Sequence, residues 1–161
     1  MKFIQLTKNK HTLVDDEDFE RLSQFKWFFA CGYAGRWFRT RGKTLRVHMH
    51  RFIINAPDNM QVDHVNGDRL DNRKCNLRLC SHADNMRNKP KKKNNTSGYK
   101  GVYWHKKDEN WHARIGYGKA SRSLYLGSYS TAEQAAAAYN FAARCLHGEF
   151  ARLNDVKDIW T

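Results

Sequence analysis

The sequence predicts an α+β protein: an N-terminal β-rich section, a central ββα segment, and a C-terminal three-stranded antiparallel sheet packed on one helix. Three observations carry this reading. Short runs of β-branched and aromatic residues recur between turn-forming Gly, Asn and Asp, as strands do. Helix starts are few and marked by acids or caps, at Asp15–Asp18, Ser81 and Thr131. Between Met86 and Lys107 lie eight Lys or Arg and no acid, which sets off the last third of the chain.

Residues 1–54 form the first section. Phe3-Ile4-Gln5-Leu6 and Thr12-Leu13-Val14 are strand-like, and Asp15 through Leu22 opens with the acids that a helix N-terminus favours. The aromatic runs Lys26–Phe29 and Tyr33–Arg39 follow. Arg41-Gly42-Lys43 then turns into Leu45–Arg51, which alternates with period two and predicts a strand. Residues 55–88 contain Gln61–Val65 as a strand, Asn66-Gly67-Asp68 as a tight turn, and Leu77-Arg78-Leu79 as a returning strand. Ser81 with Asp84 three residues on caps a helix carrying Asn85. Residues 89–97 read as a basic linker. Residues 98–156 show three strand-like runs, Tyr99–Trp104, Trp111–Ile115 and Leu124–Tyr129. The capping box Thr131–Gln134 then opens a helix with a small-residue stripe at Ala135, Ala138, Ala142 and Leu146, ended by Gly148.

The chain has 161 residues, 40% of them apolar, which is enough for compact small cores and excludes wholesale disorder. Twenty-nine Lys and Arg against sixteen Asp and Glu give a net charge of +13. Such an excess points to a polyanionic partner, and nucleic acid is the usual one. No long apolar run or basic amphipathic helix supports a membrane. Polar residues follow Met1–Leu6 directly, so no signal peptide is read, and a cytoplasmic location is expected. The four cysteines are scattered and read as reduced thiols. Cys75, Cys80 and His82 lack the second close pair of a zinc finger, so no structural zinc is expected.

The most informative residues are Asp63-His64, Asn76 twelve residues after His64, and Asn85 nine residues later. Hydrolysing a phosphodiester requires an activated water and neutralisation of charge on the phosphate and leaving oxygen. Asp63 and the Asn85 carboxamide offer hard oxygen ligands to a divalent ion. Neutral His64 can take the water's proton near pH 7, and Asn76 has the donor and acceptor needed to brace the arms. Adjacent residues on a regular strand point to opposite faces, so Asp63 and His64 can share a phosphate only if the strand is twisted or irregular there.

The stretch from His50-Arg51 through Asp63-His64 and Asn76 to Asn85–Asn88 resembles the HNH endonucleases, especially the phage and intron-encoded homing type. The resemblance implies a ββα-metal finger in which Asp63 and Asn85 bind one divalent ion, His64 is the general base and Asn76 the brace. Asn85 stands where many members have His, and an amide oxygen favours Mg²⁺ or Mn²⁺ over softer ions. His50 is expected to support the site, and Arg51 to contact phosphate or pack through its stem. The acids at 15–18, the Trp-containing run and His50-Arg51 also look like the N-terminal part of phage HNH proteins. Arg36, Arg39, Arg41, Lys43 and Arg46 there make a basic hairpin.

Tyr99 to Asn154 resembles the Apetala-type (ethylene-response-factor) DNA-binding domain, on Gly98–Val102, Trp111–Ile115, Leu126–Tyr129, Thr131–Ala136, Ala138–Ala143 and Gly148–Asn154. The resemblance implies that the sheet enters the major groove, which is wide enough for a β ribbon, and that the helix braces it. By position Lys100, Tyr103, His105, Arg114 and Tyr125 would face DNA, joined by Arg51, Arg87, Lys91, Lys92 and Lys93. His48, His82, His112 and His147 read as packing or surface residues, and Trp111 as core. The sequence as a whole predicts a site-directed DNA endonuclease that acts on double-stranded DNA and needs no protein partner, with monomer or dimer left open. The alternative is a non-catalytic DNA-binding regulator with a structural finger.

Overall fold

A computed structural model describes residues 1–118 and 122–157. The chain divides into two compact units, Met1–Met86 and a second that begins at Arg87.

In the first unit, β1 (Lys2–Gln5) pairs antiparallel with β2 (His11–Val14). Helix α1 (Asp16–Ser23) follows, with three acids in its first turn. Strands β3 (Phe28–Ala30), β4 (Tyr33–Thr40) and β5 (Lys43–His48) form an antiparallel sheet in that order. The alternation over Leu45–Arg51 does not continue as strand. The chain turns at His48 into the short helix α2 (Met49–Ile53). The burial pattern gives the reason: Met49, His50 and Ile53 (i, i+1, i+4) share one face of a helical turn, whereas a strand would send His50 to the side opposite Met49 and Ile53. β6 (Gln61–His64) and β7 (Leu77–Cys80) form a hairpin with a long connection, and α3 (His82–Arg87) follows.

One apolar core serves residues on both sides of position 54. Ile4, Leu6, Val14, Leu22, Trp27, Ala34, Met49 and Ile53 pack with Leu77, and Val62 and Leu70 lie against them. The ββα segment contributes few apolar side chains, so the N-terminal strands provide most of the surface against which it can bury them. Arg36, expected on a basic hairpin face, lies 3.7 Å from the centroid of Phe25 and is also over Phe52 at 5.0 Å. Cation–π contact and stem packing account for it.

In the second unit, β8 (Val102–His105), β9 (Asn110–Gly116) and β10 (Ser123–Tyr129) form the predicted antiparallel sheet, in the order β10-β9-β8. Helix α4 (Ala132–His147) packs on one face of it. Thr131 and Gln134 make the predicted reciprocal capping box, and Gly148 follows the helix at φ 53°. The buried stripe keeps the predicted Ala135 but is otherwise rotated: it also runs through Ala132, Ala136, Tyr139, Ala143 and His147. Tyr139 sets the rotation. Its ring lies on the backbone of Gly101, where an added Cβ would meet Tyr139 Cδ2 at 2.2 Å and the Arg114 carbonyl oxygen at 2.6 Å. Ala138, Ala142 and Leu146 are left beside an open apolar groove with Leu124, Leu126 and Phe141.

The basic stretch before the sheet is folded at its end. Ser97 Oγ donates to the Val102 carbonyl at 2.8 Å, and Asn95 Nδ2 donates to the Tyr99 carbonyl at 2.9 Å. Asn140 closes the other end by exchanging hydrogen bonds with the Asn154 backbone at 2.7 and 2.9 Å.

Gly101→Ala is expected to destabilise the second unit by at least about 2 kcal/mol, because it adds a left-handed φ of 77° to the clash with Tyr139. Thermal unfolding of this variant should show a lower-melting transition by roughly 8 °C or more, since each kcal/mol moves a small domain about 4–8 °C. An unchanged melting curve would refute the Gly101–Tyr139 contact.

Candidate active site and nucleic-acid interface

The residues from Val65 to Asn76, between β6 and β7, are held mainly by hydrogen bonds. Asn66 Oδ1 accepts from Asp68 N at 2.7 Å, and Asp68 Oδ1 accepts from Leu70 N at 2.9 Å, an Asx-type turn with Gly67 at φ 80°. Asn76 is buried: its Oδ1 accepts from Asn66 N at 2.9 Å and its Nδ2 donates to the Asp71 carbonyl at 2.8 Å. It therefore spans the loop from the base of β7. Asp71 receives a two-pronged contact from Arg73, at 2.8 and 2.6 Å, and a bond from Asn66 Nδ2. The Arg73 guanidinium holds the Asp71 carboxyl below the usual carboxylate range.

This loop is clipped to β2. Leu13 N donates to the Leu70 carbonyl and Asn72 N to the Leu13 carbonyl, both at 2.8 Å. Below that bridge runs a buried polar chain. Thr12 Oγ1 donates to the Leu70 carbonyl at 2.7 Å and accepts from Asn72 Nδ2 at 2.6 Å. Asn72 Oδ1 then faces His64 Nε2 at 3.3 Å. The direction of the donors fixes each group in turn. With Asn72 presenting oxygen, this contact calls for the His64 tautomer that carries its proton on Nε2.

The β6–β7 pairing is regular, from Gln61↔Cys80 to His64↔Leu77. The irregular strand expected at Asp63-His64 is not there, and alternation sends the two side chains to opposite faces. His64 shares its side with Val62, but its surroundings are polar and aromatic. The His64 and His50 rings meet edge to face at 5.2 Å, and Tyr33 is at 6.1 Å. His48 stacks on His50 at 5.2 Å. Burial lowers the pKa of His64 against the opposing pull of Asn72 and nearby acids. His50 is lowered to about 3 by burial and by its histidine neighbours, so it is neutral at ordinary pH.

The opposite face carries Asp63 and Gln61. Asp63 is 5% exposed and pairs across the hairpin with Arg78, whose Nη2 and Nε lie 2.7 and 3.0 Å from Oδ2. Gln61 Oε1 accepts from Asn85 Nδ2 at 2.7 Å, and Gln61 Nε2 meets His82 Nδ1 at 3.1 Å. Gln61 therefore brings Asn85, on α3, to the face that Asp63 shares. Ser81 and Asp84 cap α3 reciprocally, which fixes the helix start beside this face. A carboxylate and a carboxamide on one face suit a hard cation. Asn85 uses its nitrogen for Gln61, which turns its oxygen toward other partners. Sequence reasoning missed Asn72, Arg78 and Gln61. Their roles depend on strand register and on a contact from residue 12 to residue 72, which no local pattern encodes.

Of the expected DNA contacts, Tyr103, His105, Arg114 and Tyr125 share the sheet face opposite α4. Arg114 lies over Tyr103 at 5.5 Å and Tyr125 at 5.9 Å. His112 joins them, 5.6 Å from Tyr103 and 5.2 Å from Tyr125. Trp111 packs on the helix side, as expected, with Trp104 beside it. Lys100 is placed elsewhere: its ammonium donates to the Arg87 carbonyl, and burial lowers its pKa to about 8. Arg51 is a loop clamp, donating to the carbonyls of Met60, Ala56 and Pro57 at 2.8, 3.2 and 2.8 Å. Lys91 Nζ donates to the Gly98 carbonyl, whereas Lys92 and Lys93 are exposed. Cys75 is exposed, Cys80 is buried in β7, and His82 is bonded to Gln61.

Known proteins match both halves of the chain. A family model described as HNH endonuclease matches residues 55–87, and one described as AP2 domain matches residues 97–149. A protein of Acanthamoeba polyphaga mimivirus named as an uncharacterized HNH endonuclease is 31% identical over 156 residues, covering 92% of this chain and 77% of that one. Protein 3.8 of Escherichia phage T7 is 36% identical over 96 residues, 60% of this chain and 77% of that one. The ethylene-responsive transcription factor WRI1 of Arabidopsis thaliana is 51% identical over 47 residues, 29% of this chain and only 11% of the plant protein. No solved structure matches the chain. The mimivirus likeness runs through both units, and on that extent the chain belongs to the HNH endonuclease family and carries a C-terminal AP2 domain.

Proposed function

We propose that this protein is a divalent-metal-dependent DNA endonuclease of the homing type, in which the HNH finger cuts and the AP2 domain selects the site. The observation that carries the reading is the pairing of an oxygen-donor face, Asp63 with Asn85, with a histidine whose tautomer is fixed by Asn72 and Thr12. A Mg²⁺ or Mn²⁺ ion held by Asp63 and Asn85 would neutralise charge on the scissile phosphate and the leaving oxygen. The other tasks fall to the chain. Arg78 holds the Asp63 carboxylate in place. With Nε2–H anchored on Asn72, His64 Nδ1 would accept the proton of the attacking water once the end of β6 twists on DNA, because the regular strand sends His64 and Asp63 to opposite faces. Neutral His50, with the Tyr33 ring beside it, backs the His64 ring without adding a repelling charge. Asn76 keeps the loop from spreading, so that Asn72 stays in register with Thr12.

Double-stranded DNA is the proposed substrate. Tyr103, His105, Arg114 and Tyr125 would meet the groove, and Arg87, Lys92 and Lys93 the backbone. The protein would act as a phage- or mobile-element-encoded enzyme in a host cytoplasm. One finger per chain gives one strand cut per bound copy. A second reading, a DNA-binding regulator with a structural finger, is favoured by three features: His64 is 5% exposed, Asp63 is already paired with Arg78, and the regular β6 strand sends the two side chains to opposite faces.

The decisive experiment is cleavage of supercoiled plasmid with Mg²⁺ or Mn²⁺. Wild type is expected to nick it, and His64→Ala to lose about 100-fold or more in rate, the usual contribution of a positioned base. Plasmid left intact by wild type in both metals would favour the regulator. The pH profile gives a second check. Burial lowers the pKa of His64, so the neutral base persists below its ordinary value of about 6.5. Cleavage should therefore hold down to that pH and fall only on further acidification. Loss of activity already between pH 8 and 7 would oppose His64 as the base. Affinity for duplex DNA should also drop steeply as salt rises, because bound cations displace condensed counterions. A flat response would argue against phosphate contact.

A further inference from the structure

The β8–β9 hairpin carries a group of side chains that the nuclease reading does not use and of which DNA docking uses only His105. His105 at the end of β8, Asp108 in the turn and His112 in β9 bring three ligand-type atoms within 4.8 Å of one another, and this is the metal-type cluster found among the described residues. His105 Nδ1 lies 3.1 Å and His112 Nε2 2.9 Å from the same oxygen, Asp108 Oδ2. The imidazole rings are parallel, 9° apart in plane and 4.4 Å between centroids. Both nitrogens are buried, and neither makes a hydrogen bond of acceptable geometry despite the nearby carboxylate. Buried polar atoms in that condition call for an explanation, and a bound ion is one.

The backbone builds the arrangement. The register pairs Tyr103 with His112 and His105 with Asn110, so the two histidines are diagonal neighbours on one face. Glu109 takes a left-handed φ of 50°, and Asn110 Nδ2 donates to the Asp108 carbonyl at 3.0 Å, which folds the turn back over the hairpin. Ligand atoms around one tetrahedral zinc lie roughly 3.3 Å apart, from bonds of about 2.0–2.1 Å. The two nitrogen–oxygen separations are within a few tenths of an ångström of that value.

We propose that His105, Asp108 and His112 bind one divalent transition-metal ion of the zinc class, with water as the fourth ligand, on the sheet face of the AP2 domain. Two imidazoles and one carboxylate favour zinc over magnesium. The ion would tie the two strands and their turn together and place two positive charges beside Arg114. Its ligands belong to the second unit and Asp63 and Asn85 to the first, so the site is independent of the nuclease reading.

The test uses the full chain equilibrated with Zn²⁺ in excess Mg²⁺ and then dialysed. Wild type is expected to retain one zinc equivalent more than His105→Ala or Asp108→Asn, with circular dichroism confirming that the variants fold. Both positions are partly exposed, and zinc held by cysteines cancels in the comparison. A second measurement needs no variant. Carbethoxylation of His105 in wild type, read by mass spectrometry, should fall at least about tenfold with Zn²⁺ and stay unchanged with Mg²⁺ alone. Equal zinc in the three proteins, or His105 labelling that Zn²⁺ leaves unchanged, would overturn the proposal.

Discussion

The clip between β2 and the β6–β7 connection governs the candidate site. Twelve residues from Val65 to Asn76 contain few apolar side chains, so packing alone cannot fix their path. The fixing comes from buried hydrogen bonds: the Leu13 backbone bridge and the chain from Leu70 through Thr12 and Asn72 to His64. Buried polar groups are costly when left unpaired and rigid when satisfied. Thr12 and Asn72 are both almost fully buried, so this network tolerates little rearrangement. The orientation of the His64 ring thus depends on a threonine more than fifty positions earlier.

Much of the architecture was legible because it is written locally. Capping boxes at Ser81 and Thr131, the Asn66-Gly67-Asp68 turn, and alternating strands in the last sixty residues all act over a few positions. The spacing of Asp63, His64, Asn76 and Asn85 is visible in the sequence, but the face that each side chain takes is not. What failed to show were facts of register and competition. Regular pairing put Asp63 and His64 on opposite faces, against the expected irregularity. Arg51 and Lys100 looked free to meet phosphate, yet nearby carbonyls hold them. A basic residue in a sequence carries no mark of whether an unsatisfied carbonyl lies within its reach. The rotation of α4 escaped for a related reason. An alanine stripe defines a face only loosely, and the one large residue, Tyr139, decided which alanines were buried.

The sheet face of the AP2 domain is aromatic and imidazole-rich with one arginine at its centre. Tyr103 and Tyr125 flank the Arg114 guanidinium with their rings, and His112 meets both tyrosines edge to face. A guanidinium restrained in this way loses less freedom on docking than a mobile one, which suits directional contact with a base edge. The same restraint narrows what the face can read, because a single fork offers few donors to the groove.

The shared core of the first unit sets the scale at which this protein can be rearranged. Leu77, Val62 and Leu70 lie on a surface made by residues between Ile4 and Ile53. A recombination joint at residue 55 would cut through that core and strand both pieces, whereas a joint near Arg87 leaves each hydrophobic cluster whole. The first eighty-six residues therefore hold together as one unit, and exchanging the AP2 domain would leave untouched the hydrogen bonds that orient the His64 ring.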